Sequence, residues 1–332
     1  VRTLSTEKPK PSSEPVTGSL FGDPVPLRIT NESIRWWTGE APKATSTICD
    51  IDQDGRLDVF IANGISVQNR RHNAVLLAQG DTFVLQPDHP LAAITETRAV
   101  LWGDIDNDGL TDAYFCRRGE NELWLQTQSQ VWKNVTSDAG VAGGPADTVD
   151  GALVDADHDG DLDLFLVNRD TDNELLSNNL DGTFRSLGQT QGIAGDGRPS
   201  RQVVFTDLDN DRDVDLIVIN DTPPHEIYLN DRLWQYHKAE GFEKFCETPI
   251  GACIAADRDV DGNVELYTVT ENEILAWTGG ESWTATRIGS EMDIDIQTAW
   301  LAVTDLNGTG DHDLLLRTRD GWVALLDDLR VE

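Results

Sequence analysis

The sequence has little positive charge and no long apolar run. Among its 332 residues, 26 Lys and Arg stand against 59 Asp and Glu, so the formal net charge at pH 7 is −33. Nucleic-acid binding needs cationic side chains that displace counterions, so this balance argues against a nucleic-acid partner. No stretch approaches 18 consecutive apolar residues, so we expect no transmembrane span in this chain. Hydrophobic residues still make up 39% of the chain, which is enough for a folded core.

Catalytic motifs are also missing from the sequence. It contains no G-x-S-x-G, no P-loop and no G-x-G-x-x-G that opens a helix. Clustered carboxylates are poor general acids when they hold a cation, because the cation lowers their pKa. We therefore predict a non-catalytic protein, and the alternative is a carbohydrate-binding or polysaccharide-cleaving protein.

What the sequence does contain is an acidic nine-residue repeat. It occurs six times, with starts 48 to 54 residues apart. The copies read DIDQDGRLD, DIDNDGLTD, DADHDGDLD, DLDNDRDVD, DRDVDGNVE and DLNGTGDHD, and they begin at Asp50, Asp104, Asp155, Asp207, Asp257 and Asp305. Such regular spacing indicates a repeat architecture in which each copy belongs to one structural unit.

Short apolar segments surround every nonamer. One precedes it, such as AVLWG before Asp104, and others follow, such as TDAYFCR, ELWLQT and VWKNV. They are rich in β-branched and aromatic residues and are separated by Gly, Asn, Asp and Pro, which is typical of strands. Four strands in about 50 residues predict one propeller blade. We therefore predict an all-β fold, a β-propeller of six four-stranded blades that open near residues 44, 98, 151, 201, 251 and 298.

The sixth blade is one strand short, because few residues follow its third apolar segment. Residues 26–33 (PLRITNES) resemble a fourth strand with no blade before it. We expect this N-terminal strand to complete the last blade and close the ring, and a seventh blade from sequence outside the chain is the alternative. Residues 22–332 then form a single propeller domain. Residues 1–21, rich in Pro and Ser, are expected to be a tail or linker.

The nonamers have the oxygen pattern of a calcium loop. Positions 1, 3, 5 and 9 offer side-chain oxygens, position 7 offers a backbone carbonyl, and Gly at position 6 permits positive φ. Calcium takes six to eight such oxygens. An EF-hand would need an acidic residue at position 12, where this chain has strand residues such as Ile61 and Phe115. The predicted ligands of loops one to three are Asp50, Asp52, Asp54, Arg56, Asp58, Asp104, Asp106, Asp108, Leu110, Asp112, Asp155, Asp157, Asp159, Asp161 and Asp163, with Arg56, Leu110 and Asp161 acting through their carbonyls.

The last three loops depart from this pattern. Arg212 replaces Gly at position 6 of loop four, where a left-handed non-Gly residue costs ~1 kcal/mol. Loop six keeps only two carboxylates, so we expect three to six calcium ions in total. The predicted ligands of these loops are Asp207, Asp209, Asp211, Asp213, Asp215, Asp257, Asp259, Asp261, Asn263, Glu265, Asp305, Asn307, Thr309 and Asp313.

These loops carry a resemblance to a known family. D-x-D-x-D-G-x-x-D loops between apolar strands, about 50 residues apart, resemble the FG-GAP/VCBS repeats of integrin-α-type β-propellers. The phrases NVTSDAGVAG at 134–143 and SLGQTQGIAG at 186–195 are similar to those of bacterial VCBS proteins related to cartilage acidic protein. The resemblance covers residues 22–330. It implies a propeller fold and calcium binding, and it specifies no function.

With no catalytic signature, we predict a protein-binding or assembly module. It is expected to be a peripheral subunit of a larger complex, with the N-terminal tail docked on partner chains and a glycan as the alternative partner. Residues 65–73, which carry Arg70, Arg71 and His72, and residues 220–226, which carry His225, are expected to be surface loops open to a partner.

Calcium loops of weak affinity need roughly millimolar calcium, which favours an extracytoplasmic setting, whether periplasmic, cell-surface or secreted. Four cysteines allow three disulfide pairings, and free thiols are the other expectation. They are Cys49, Cys116, Cys246 and Cys253.

Overall fold

The structure is a computed structural model that describes residues 34–36, 45–80, 82–233, 235–258, 260–279, 283–289, 291–306, 312–319 and 321–326. The expected tail at residues 1–21 and the expected strand at 26–33 lie outside the described residues. The chain divides into two compact units, one ending at Glu240 and the other beginning at Gly241. Each unit is described by itself.

Nearly all regular structure is antiparallel β-sheet. The unit that ends at Glu240 contains β1 (Ile34–Trp36), β2 (Ser46–Cys49), β3 (Asp58–Val67), β4 (Arg70–Gln79), β5 (Thr82–Leu85), β6 (Thr97–Gly103), β7 (Asp112–Gly119), β8 (Glu122–Gln128), β9 (Val131–Asn134), β10 (Ala146–Val154), β11 (Asp163–Asn168), β12 (Glu174–Asn178), β13 (Phe184–Ser186), β14 (Ser200–Thr206), β15 (Asp215–Asn220), β16 (Glu226–Asn230) and β17 (Tyr236–Lys238). The unit that begins at Gly241 contains β18 (Ala252–Ala256), β19 (Glu265–Val269), β20 (Ile274–Thr278), β21 (Thr284–Ile288), β22 (Leu301–Thr304), β23 (Asp313–Thr318) and β24 (Gly321–Leu325).

Helices are short throughout the described residues. They comprise a 3-10 turn at Pro90–Ala93, α1 (Thr136–Ala139) and α2 (Glu243–Cys246). None is long and apolar enough to cross a membrane. The all-β prediction is confirmed, because each predicted apolar segment within the described residues contributes to a strand.

Each repeat is a meander in which the acidic nonamer joins the first strand to the second. The four-stranded meanders are β2–β5, β6–β9, β10–β13, β14–β17 and β18–β21, and the sixth repeat shows β22–β24. In the second and third repeats, β7 also pairs with β10 over two residues, which merges their sheets. Curled sheets in sequential order are consistent with a β-propeller.

The second strand of each repeat supplies the centre of its sheet. All six residues of β11 and of β15 are buried, because these strands have a neighbour on each edge and packing on both faces. In the unit ending at Glu240, residues such as Phe60, Phe115, Phe165 and Val218 form its apolar clusters. Continuous apolar runs such as DLFLVN and DLIVIN in the sequence reflect this double-sided burial.

The prediction of a surface loop at residues 65–73 is wrong. These residues extend β3 and β4 as a hairpin that turns at Gln68 and Asn69, both with positive φ, as a two-residue hairpin turn requires. The extension carries β1, since Ile34 pairs with Val67 while the first half of β3 pairs with β2.

In the connection at residues 220–226, residues 221–224 are at least partly exposed, but His225 is not available to a partner. Its side chain is buried, and its Nδ1 accepts the Asn220 N–H at 3.1 Å. All four cysteines are present as reduced thiols, and burial raises the pKa of Cys49 to about 12.

Candidate metal centres

Each acidic loop is shaped by its own carboxylates. In loop two, Asp104 Oδ1 accepts the Asp108 N–H at 2.9 Å, and its Oδ2 accepts the Gly109 N–H at 2.9 Å. Asp108 Oδ1 then accepts the Leu110 N–H at 2.8 Å. Short acidic side chains stabilise turns in this way because they reach backbone groups a few residues ahead. The bond from the position-6 N–H to the position-1 carboxylate recurs at Asp50, Asp155, Asp207 and Asp257.

The last residue of the nonamer begins the second strand and anchors the loop to the sheet. Asp112 Oδ2 accepts the Ile105 N–H at 2.9 Å, and Oδ1 accepts the Gln126 N–H from β8 at 2.8 Å. Both oxygens of Asp58, Asp163 and Asp215 are occupied in the same manner. These carboxylates are buried, so only their remaining lone pairs face the loop interior.

Two positions in each of loops one to five have left-handed backbone. Position 6 was expected from its Gly, and Arg212 has φ 78° there, as the sequence predicts. Position 4 was missed, because its residues share no chemistry. They are Gln53, Asn107, His158, Asn210 and Val260, with φ between 57° and 64°. Val260 is the least suited of them, since a β-branched residue with positive φ is an outlier.

In loops one to four, three carboxylates per loop offer oxygens within 4.8 Å of one another. Positions 1 and 3 belong to every cluster and are joined by position 5 or position 9. The clusters are Asp50, Asp52 and Asp58; Asp104, Asp106 and Asp108; Asp155, Asp157 and Asp159; and Asp207, Asp209 and Asp215.

These clusters fit a calcium ion. Hard carboxylate oxygens on flexible loops are the ligands that calcium prefers. Two buried oxygens, Asp52 Oδ1 and Asp155 Oδ1, have no hydrogen-bond donor among the described residues. A buried anionic oxygen with no partner is costly, and a bound cation would remove that cost.

Loops five and six are described only in part. Asp259 in loop five and Asn307 and Thr309 in loop six lie outside the described residues. The described part of loop five keeps the turn, because Asp261 Oδ1 accepts the Asn263 N–H at 2.8 Å and Glu265 Oε2 accepts the Arg258 N–H at 3.2 Å.

In the described part of loop six, Asp313 Oδ2 accepts the Leu306 N–H at 2.8 Å, while Asp305 is exposed. Within the described residues of these two loops, no three acidic groups meet as they do in the first four.

The pKa values of several loop carboxyls are raised, because these groups are close to one another and partly removed from water. Burial raises the pKa of Asp112 and of Asp215 to about 7. At position 3, burial and then neighbouring carboxylates raise the pKa of Asp52, Asp106 and Asp209. A divalent cation would reverse this effect, since an adjacent positive charge favours the ionised form.

Position 7, predicted to act through its carbonyl, presents different side chains in different loops. Arg56 Nη2 lies 2.5 Å from Asp54 Oδ2, and this hydrogen bond holds the pKa of Asp54 below its usual value. The side chains of Asp161 and Asp213 are buried. Ligation by the position-7 carbonyls stays a prediction.

Sequence reasoning missed a set of carboxamide bridges between successive repeats. Gln126 Nε2 donates to the Ile51 carbonyl of the preceding loop at 3.1 Å. Asn178 Nδ2 donates to the Ile105 carbonyl at 3.0 Å, and Asn230 Nδ2 to the Ala156 carbonyl at 3.0 Å. The only sequence signal is a polar residue that ends the third apolar segment in repeats two to four, as in ELWLQ, ELLSN and EIYLN. These bridges fix each loop against the next repeat.

The loops and their strands match a known sequence family. A profile described as FG-GAP-like repeat matches residues 50–115, 105–166 and 155–218. Cartilage acidic protein 1 of Xenopus tropicalis is 28% identical over 172 residues, covering 46% of this chain and 26% of that protein. Cartilage acidic protein 1 of Mus musculus is 24% identical over 262 residues, covering 67% of this chain and 38% of that protein. The chain thus spans well under half the length of these relatives.

A solved structure with a similar fold is a lectin from Agrocybe aegerita that recognises non-reducing terminal N-acetylglucosamine. It has a TM-score of 0.55 at 17% identity and covers 82% of this chain and 75% of that chain. This similarity concerns the fold alone. The profile, in contrast, matches half of the chain and includes the first four acidic loops, so the chain belongs to the FG-GAP-like repeat family.

Proposed function

We propose that this protein is a non-catalytic β-propeller that binds calcium in its acidic loops and serves as a protein-binding or assembly module. The observation that carries the calcium assignment is the convergence of three carboxylates within 4.8 Å in each of loops one to four. With loops five and six, the number of ions lies between three and six. Calcium holds the loop end of each repeat in one conformation and leaves other surfaces free for recognition.

Native mass spectrometry of calcium-loaded protein before and after EGTA treatment tests the assignment. We expect three or more calcium ions per chain that EGTA removes. The triple variant D104N/D106N/D108N should lose one ion. A preparation that retains no calcium at millimolar concentration would overturn the assignment.

We further propose that six blades form the ring and that residues 26–33 complete the sixth. The sixth sheet shows three strands within the described residues, and the sequence PLRITNES matches the missing fourth. Deleting residues 1–33 should lower the midpoint of thermal unfolding, because the last sheet loses a strand. The matched control deletes residues 1–21 only and should leave the midpoint unchanged. Equal midpoints for the two deletions would contradict this closure.

An exposed aromatic pair supports the binding role. Trp300 and Trp322 are 45% and 51% exposed, and their ring centroids lie 5.3 Å apart at an interplanar angle of 86°. The exposed residue Arg317 on β23 neighbours both tryptophans along the backbone. Its N–H donates to the Trp300 carbonyl, and it pairs with Trp322 of β24. Trp and Arg dominate binding energies at protein interfaces. A sugar ring could cover the same rings, which favours glycan binding as the second candidate function.

An affinity capture with the calcium-loaded chain separates the two candidates. Capture of one protein in stoichiometric amount from native material supports a protein partner, provided that the W300A/W322A variant no longer captures it. The control variant L180A, changed at another exposed residue, should still capture it. Retention on a glycan matrix with the same variant pattern supports the alternative. The proposal also includes an extracytoplasmic location and docking of residues 1–21 on the partner. Deletion of residues 1–21 tests the docking, because the shortened chain should capture less of the partner in the same experiment.

A further inference from the structure

Loop three contains a buried carboxylate that no other group compensates. Asp161, at position 7, is 1% exposed. Within the described residues, no N–H or O–H donor reaches either of its carboxylate oxygens. A buried carboxylate without a partner is among the most costly arrangements in a protein, so its presence needs a physical explanation.

At the equivalent residue of loop four, groups of the protein itself lie beside the carboxylate, although its Oδ2 accepts no hydrogen bond within the described residues. Asp213 is also 1% exposed. Its Oδ1 lies 2.5 Å from Nε2 of His158, and its Oδ2 lies 3.4 Å from Nε of Arg232. Two cationic or donor groups therefore face Asp213, while Asp161 has neither.

The groups that do surround Asp161 are acidic. Its carboxyl lies against that of Asp159, whose Oδ1 accepts the Asp161 N–H at 3.2 Å. Burial, Asp159 and the charges of Asp163 and Asp157 raise the pKa of Asp161 to about 7. Since Asp157 and Asp159 belong to the carboxylate cluster of this loop, Asp161 adds a fifth carboxylate to the same region.

The corresponding positions in loops one and two cannot add such a charge. Position 7 is Arg56 in loop one, where it pairs with Asp54, and Leu110 in loop two. In loop four, His158 and Arg232 lie beside the Asp213 carboxylate. Among the described residues, loop three has one arginine, Arg185, near Asp159, and no such group beside Asp161. Loop three therefore has five carboxylates with the least positive charge beside position 7, and affinity of calcium loops increases with ligand charge.

We propose that the Asp161 carboxylate is an additional cation ligand, which makes loop three the tightest divalent-cation site of the protein. This inference rests on the proposed calcium binding and assigns a specific side chain to one site. In this arrangement the cation takes the place that His158 Nε2 and Arg232 Nε take beside Asp213. The other loops bind calcium more weakly, through fewer charges.

Calorimetric titration of chelator-treated full chain with calcium chloride at pH 8 tests the proposal. The wild-type protein should show one tightest site ahead of a weaker class. D161N should weaken that tightest site by at least about tenfold and leave the weaker class unchanged. The matched control D181N makes the same change at an exposed residue of the same repeat, outside the acidic loop, and should leave the tightest site unchanged.

A thermal measurement gives an independent readout. In EGTA, D161N should raise the unfolding midpoint, because it removes a buried charge, while calcium should raise the midpoint less than in the wild type. If D161N and wild type bind calcium identically, or if D181N weakens the tightest site as much as D161N does, this inference is wrong. If the wild type binds no calcium at all, the proposed function itself fails.

Discussion

The two compact units use the same strands but differ in what surrounds the acidic loops. In the unit ending at Glu240, position 2 of every loop is a buried apolar residue, namely Ile51, Ile105, Ala156 or Leu208. In the unit beginning at Gly241, position 2 of loop five is Arg258, whose Nε donates to the His312 carbonyl of loop six at 2.7 Å. His312 Nδ1 lies 3.1 Å from the Asp257 carbonyl. At position 2, loop five thus contacts loop six directly, whereas position 2 of the loops in the other unit is an apolar anchor.

The carboxamide bridges show the same difference. Gln126, Asn178 and Asn230 connect successive repeats in the first unit. In repeat five, Trp277 pairs with Leu266, and the residue that corresponds to the bridging carboxamide lies two positions later. That residue is Gly279, which has no side chain to form a bridge. The strand meander of repeat five therefore forms without such a bridge. In the first unit the bridges reach loops one to three, and the carboxylate clusters found among the described residues occur in loops one to four.

Calcium removal should have the largest effect and should separate the two units. A ligand that binds only the folded state stabilises it by about 2.7 kcal/mol per site at 100 times its Kd. We expect EGTA to lower the thermal midpoint, and hydrogen exchange to show most of the lost protection in residues 45–240. Uniform loss of protection across both units would contradict a distinction based on the carboxylate clusters.

Stability without calcium should depend on pH in a defined direction. Burial raises the pKa of Asp112 and Asp215 to about 7, so their folded forms bind protons more readily than the unfolded chain does. The stabilisation of the folded state by these two protonated carboxyls is fully present at low pH and is lost as the pH rises from about 4 through 7. In EGTA, the free energy of unfolding should decrease over this range, and added calcium should stabilise the protein more at pH 8 than at pH 5.5. Urea unfolding at the two pH values measures both trends.

Removing one carboxamide bridge should have a smaller effect. N178A leaves the buried Ile105 carbonyl without the donor that lies 3.0 Å away and should cost about 1–2 kcal/mol in the free energy of unfolding. The matched control is N179A, at the exposed neighbour, which should change stability by less than about 0.5 kcal/mol. Equal costs for the two variants in urea unfolding would show that the bridge contributes nothing.

The smallest expected effects come from the strained loop residues, one in each unit. R212G and V260G place Gly where φ is 78° and 57°, and each should stabilise the protein by up to about 1 kcal/mol. R212G should in addition strengthen calcium binding to loop four, because it removes a guanidinium from the loop. Thermal unfolding in EGTA and calcium titration of the same variants separate these two contributions. A destabilising R212G would mean that its side chain makes a contact of greater value than the relieved strain.

Much of the fold follows from local patterns in the sequence. The first strands of successive repeats start at Ser46, Thr97, Ala146, Ser200, Ala252 and Leu301, close to the openings that the sequence predicts. Third strands such as β8, β12 and β16 begin at the predicted Glu122, Glu174 and Glu226. These features are local, because strand period, turn residues and repeat length are all written in neighbouring positions. The hairpin at 65–73 was missed because its polar residues resemble a loop.

The sequence by itself determined the strand meander and the oxygen-rich loops, since both depend on neighbouring residues, and it determined the repeat, since the nonamers recur at nearly constant spacing. Only the tertiary structure decided how equivalent residues are compensated. Asp161 and Asp213 occupy the same position in nearly identical nonamers, yet His158 and Arg232 face one of them and only carboxylates face the other. That difference arises from groups brought together by folding, His158 from the preceding repeat and Arg232 from a later turn of the same repeat. Burial and charge, rather than local pattern, determine the free energy of such a carboxylate.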